Sequence, residues 1–126
     1  MRYLKKNLYK AVVFIVKGIN PKWIDKGVKY PKIDLHSWIE NPPMDKEDST
    51  REISFIVEAY SNTSYDEAVT MADEVAQKLC DEPIEVEGAK VVSVLPDGTE
   101  ESDEQDNNNI VLYRQLRRIL VTIKSV

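Results

Sequence analysis

Few residues of this 126-residue chain could do chemistry, and they are scattered. The single histidine, His36, follows Asp34 by two positions in "KIDLHSW". Imidazole beside carboxylate is a common general acid-base pair. In a strand the two would share one side, and an enzymatic site would need a further acid, for instance from the later helix. Nothing in the sequence brings those groups together, so the expectation for His36 is a packed or solvent-facing strand residue. Cys80 is the only cysteine, which rules out an internal disulfide and fits a reducing compartment. At the end of an amphipathic helix without a nearby histidine, it reads as a small core residue rather than a nucleophile. No Cys or His cluster has metal-ligand spacing. The acids Asp97, Glu100, Glu101, Asp103, Glu104 and Asp106 could attract calcium, but they lack the order of an EF-hand loop. The four glycines form no phosphate-binding loop. The expectation is therefore a non-enzymatic chain with no catalytic residue, cofactor or metal.

The elements that would position these groups follow from hydrophobic period. Leu4, Leu8, Ala11, Val12 and Ile15 have helical spacing, which predicts a helix over about 2–17 that stops near Gly18. The β-branched run "AVVFIV" within it would also suit a strand. Pro21, Gly27 and Pro31 mark an irregular connection, pinned to the core by Trp23 and Tyr30. In "KIDLHSW", Ile33 and Leu35 alternate with Asp34 and His36 as in a half-buried strand, and "NPPMDKED" ends it as a loop. Ile53, Phe55, Val57 and Ala59 then oppose Glu52, Ser54 and Glu58, the period of a sheet with one wet face. Ser64 stands three residues before Glu67, the spacing of a capping box. Behind it Val69, Ala72, Val75, Ala76 and Leu79 form an apolar stripe, with Asp66, Glu67, Asp73 and Glu74 on the solvent side.

Beyond Pro83 the sequence predicts a short extended piece, a strand over "AKVVSVLP", and a turn opening at Pro96-Asp97-Gly98. "DGTEESDEQDNNN" is polar enough to read as an exposed acidic loop. A final strand covers at least 116–124, with Ile119, Val121 and Ile123 on one face. The order α-β-β-α-β-β implies one α+β domain over residues 1–126, a mainly antiparallel sheet of about four strands with helices on one face. The longest apolar run, Ala11 to Val16, is six residues, too short for a membrane helix, and no export signal is legible.

Charge is segregated within a net of -5. Residues 1–32 hold nine Lys or Arg and one acid, residues 33–106 hold four and twenty-one, and residues 107–126 hold four and none. Opposite blocks of this kind suit self-association or a field offered to a charged partner. The acidic middle would also suit a small inhibitor or regulator that imitates a nucleic acid.

Several of these segments together carry a family likeness. The N-terminal amphipathic helix, the entry Pro31-Lys32-Ile33, the strand "REISFIVEAYS" running through Tyr60-Ser61 into "SYDEAVTMADEVAQKL", and the final strand "LRRILVTI" resemble the tail-completion or tail-terminator proteins of tailed bacteriophages and prophages. The helix opening Asp66-Glu67-Ala68 belongs to the same pattern. The Pro-rich link "WIENPPMDKED" and the long acidic stretch depart from it and leave room for another neck or adaptor role. The resemblance implies a non-enzymatic virion part, built in the host cytoplasm, that forms a ring, a hexamer by family, on the end of the tail tube. Its partners would be the tail-tube protein and head-completion or neck proteins, with DNA passing without specific binding and no membrane involved. The charge blocks supply candidates for such an assembly. Asp97, Glu100, Glu101, Asp103, Glu104 and Asp106 would line a channel or an interface, and Lys5, Lys6, Lys10, Arg114, Arg117 and Arg118 would face the acidic segment of a neighbouring copy.

Overall fold

A computed structural model of the chain describes residues 4–24, 30–41, 50–105 and 111–125, with the side chains of 102–105 outside that description. Helix α1 spans Leu4–Ile19 and a 3-10 turn spans Pro21–Ile24. Strands β1 (Lys32–Asn41) and β2 (Thr50–Ser61) lead to helix α2 (Tyr65–Asp81), and β3 (Ala89–Gln105) and β4 (Val111–Ser125) complete the chain. All strands pair antiparallel in the order β1-β2-β4-β3. The α+β class, the element order and the helices on one face agree with the sequence reading.

The "AVVFIV" segment is helical. Val12 and Val16 continue the stripe begun by Leu4 and Leu8, and all four are buried, so packing outweighs the modest helix penalty of β-branched residues. These side chains meet Ile53, Phe55, Val57 and Ala59 of β2 and Ile119, Val121 and Ile123 of β4 in one core. Trp38 lies flat on Phe55, with ring centroids 4.3 Å apart, and Tyr9 of α1 meets its edge. Trp23 packs against the core and Tyr30 against Tyr60.

On α2 the buried stripe is Ala68, Met71, Ala72, Val75 and Leu79, so Val69 stands at its margin rather than its centre. The expected cap is present in altered form. Ser64 Oγ accepts from the Glu67 amide at 3.1 Å, but the Glu67 carboxylate accepts from Ser61 Oγ at 2.6 Å instead of closing on Ser64. Ser61 Oγ in turn accepts from the amides of Thr63 and Ser64, so one buried hydroxyl organises the whole strand-to-helix junction. The junction is structural, as the residue types indicate.

The acidic segment corrects the sequence reading. Residues 97–105 are not a loop but the outer half of β3, paired with β4 from Thr99↔Arg117 to Gln105↔Val111. Polarity fails to predict a loop here because a hairpin arm needs cross-strand partners rather than a core. Glu101 meets Gln115 across the pair, and the expected turn at Pro96-Asp97-Gly98 is a bulge where Gly98 takes φ 123. Asp106 and "PPMDKEDS" lie outside the described residues.

Candidate functional site

The sheet face opposite the helices has no helix on it among the described residues. Register places Lys32, Asp34 and His36 of β1, Ser54, Ile56, Glu58 and Tyr60 of β2, and Arg114, Leu116, Arg118 and Leu120 of β4 on that face. The wet face expected from alternation is wrong at its centre, because Glu58 is only 3% exposed. Its neighbours cover it and also satisfy it. His36 Nε2 lies 2.5 Å from Oε1, and Arg114 Nε donates to Oε2 at 2.6 Å. Burial alone pushes the Glu58 carboxyl up, but hydrogen bonds from Tyr60, Arg114 and His36 outweigh it and hold the group below the usual carboxylate range. Tyr60 is pushed the other way, well above an ordinary phenol, by burial and by its bond to Glu58. Lys32 Nζ stands 5.0 Å and the Arg114 guanidinium carbon 5.7 Å from the Tyr60 ring centroid, so the cations frame the aromatic.

From the sequence His36 is a packed or solvent-facing strand residue with no acid brought to it; the structure gives it Glu58, across the strand pair. Asp34 instead meets Lys32 at 3.7 Å. The signal for Glu58 was weak, since an acid in an alternating strand is normally solvated. Ser37 takes φ 58, a left-handed conformation at a β1 irregularity, and its hydroxyl lies 2.8 Å from His36 Nδ1. Hydroxyl, imidazole and carboxylate in series is the connectivity of an activated nucleophile. Here the second carboxylate oxygen is taken by Arg114, and the hydroxyl belongs to the residue next to His36. That arrangement suits a clamp joining β1, β2 and β4.

The other candidate residues fall into two groups. Arg114 is held by Glu58, and Arg117, buried on the helix side, donates to Asp73 of α2 at 3.0 Å. Glu101 accepts from the Tyr65 hydroxyl at 2.7 Å and from Gln115 at 3.1 Å, and these bonds lower its pKa. Asp73 and Glu67 therefore have partners rather than forming a purely solvated face. Lys5, Lys6, Lys10, Asp97 and Glu100 are exposed, and Arg118 is half-buried on the uncovered face. Of Asp103 and Glu104 the backbone pairing alone is described. Cys80 is half-buried against the core, and burial pushes its thiol up.

Two depressions flank β1. A cleft of about 610 Å³ has Tyr9, Trp23 and Ile24 on its apolar side and Lys32, His36 and Glu58 on its polar side. A shallower hollow lies between Lys5, Lys6, Tyr9, Leu35 and Trp38. No group of three or more His, Cys, Asp or Glu that could hold a metal occurs among the described residues, and no described helix is long and apolar enough to cross a membrane.

These features define a small α+β protein with one sheet face covered by helices and one that carries no helix among the described residues. No protein-family model and no curated protein matches the chain. Among solved structures it is similar to a chain of the virion of a native gene transfer agent particle, with a TM-score of 0.65 at 10% identity. The match covers 98% of this chain and 95% of that one, so the likeness is of whole fold to whole fold.

Proposed function

We propose that this chain is a structural part of a phage-like virion, and that it serves as a tail-completion or tail-terminator subunit. The observation that carries the proposal is the full-length fold likeness to a gene transfer agent virion chain. In this reading identical copies form a ring on the head-proximal end of the tail tube and join it to the head, after assembly in the host cytoplasm. The Glu58 clamp then holds the sheet together and performs no catalysis.

The acidic arm has a use in such a ring. DNA passing a head-tail channel must not adhere, and carboxylates repel phosphate where Lys and Arg would bind it through counterion release. Glu100 is exposed on backbone paired to Leu116 of β4 and Asp97 is exposed at the bulge just before it, so the arm presents its charge from a defined position toward the channel or the ring's end.

Deleting the gene from a particle-producing host tests the reading. The expected result is unjoined heads and tails by electron microscopy, restored by the intact gene. Normal particles in the deletion strain would refute it.

A further inference from the structure

We infer that neighbouring copies dock sheet edge to sheet edge, β3 of one copy against β1 of the next, so that the sheet continues from subunit to subunit. The inference rests on the ring reading above and specifies its contact. Among the described residues β1 and β3 each pair with one strand only, leaving an unpaired backbone edge on either side. Such edges are templates for pairing unless they are covered, and β3, at 17 residues, is a long one.

Strand direction allows the join. In the order β1-β2-β4-β3 with every pair antiparallel, β1 and β3 run in opposite directions. Copies related by rotation about an axis near the strand direction would bring β3 against β1 antiparallel, continuing the alternation. The two edges differ, so the contact is heterologous, the kind that closes a ring.

One row of side chains matches across the two edges. Ile39, Ser54, Leu120 and Leu95 form one row across the sheet. The row ends in exposed apolar residues, Ile39 at 48% and Leu95 at 54%. Extending it without stagger sets Leu95 of one copy against Ile39 of the next. Asp34, Glu58, Leu116 and Glu100 form another row, so the same extension sets Glu100 against the next copy's Asp34, a like-charged pair offset by Lys32, which is diagonal to Glu100 and 3.7 Å from Asp34. Lys5 and Lys6 flank the β1 edge, whereas β3 carries exposed Asp97 and Glu100. The lysines beside β1 thus favour this pairing over β3 meeting a second β3.

The test is hydrogen exchange on the isolated subunit and on the ring assembled with tail tubes, together with disulfide trapping of Ile39→Cys, Leu95→Cys in a Cys80→Ser background. Within one subunit these positions lie on opposite edges, about 14 Å apart across three strand spacings, too far for an internal bridge. The expected result is slowed exchange in both β1 and β3 on assembly and a ladder of disulfide-linked oligomers. Rings that form with both edges exchanging as in the subunit and no ladder would overturn the edge contact while leaving the ring reading intact. No ring under any condition would overturn both.

Discussion

Arg114 donates through Nε to Glu58 Oε2 at 2.6 Å, joining residues 56 apart in sequence across the β2-β4 pair. With His36 on the other oxygen, the carboxylate is buried yet paired on both sides. Removing one partner of a buried ion pair costs about 3–5 kcal/mol, because the remaining charge is stranded. Glu58→Lys should reach that range, since it sets a cation beside Arg114. Val57→Lys, on the helix side, should also cost several kcal/mol (about 3 or more) by burying an unpaired charge. Urea unfolding of the subunit measures both. A Glu58→Lys variant within about 0.5 kcal/mol of the parent, as for an ordinary surface site, would show that the clamp is not formed.

The same pair sets a pH dependence. The folded Glu58 carboxyl titrates below its unfolded value of about 4.3, so its contribution is complete above that pH and is lost as pH falls through the lowered folded value. Tyr60 is raised in the fold, so its contribution is complete below the unfolded value of about 10 and is lost as pH rises beyond it. Stability measured against pH should fall at both ends. Glu58→Gln should flatten the acid limb and Tyr60→Phe the alkaline limb. Curves parallel to the parent in both variants would contradict these assignments.

At the β2-α2 junction, Ser61→Ala should cost more than Ser64→Ala. Loss of the Ser64 cap removes about 1 kcal/mol. Loss of Ser61 leaves two amides and the Glu67 carboxylate without their shared hydroxyl, about 2–3 kcal/mol in all. Thermal unfolding of the two variants decides, and equal losses would show that Ser61 is not the organising group.

Those junction residues show what was legible in the sequence and what was not. The Ser64-Glu67 spacing, the alternation of Ile53 to Ala59 and the stripe of α1 are local patterns, and local patterns predict local structure. The Glu67 bond to Ser61, the covering of Glu58 and the pairing of 97–105 with β4 depend on which segments meet. Glu58 has the sequence signature of a solvated residue, and Tyr60 on its own strand, Arg114 on β4 and His36 across the β1-β2 pair make its burial tolerable. The acidic arm looks like a loop because the partners of Glu101, Gln115 on the next strand and Tyr65 at the start of α2, fall outside any local pattern.

Ser37 provides a test of backbone strain. A left-handed residue with a side chain costs about 1–2 kcal/mol relative to one without it. Ser37→Gly and Ser37→Ala both lose the contact with His36, but only glycine relieves the backbone. Ser37→Gly should therefore be the more stable of the two by about 1 kcal/mol in denaturant unfolding. An alanine variant at least as stable as the glycine one would contradict the left-handed geometry.

Cryo-electron microscopy of purified particles shows what occupies the head-proximal end of the tail. The expected result is a closed ring there whose repeating density fits this fold, the four-stranded sheet with α1 and α2 on one face. Particles that are complete without this chain, or density at that position of a different fold, would contradict it.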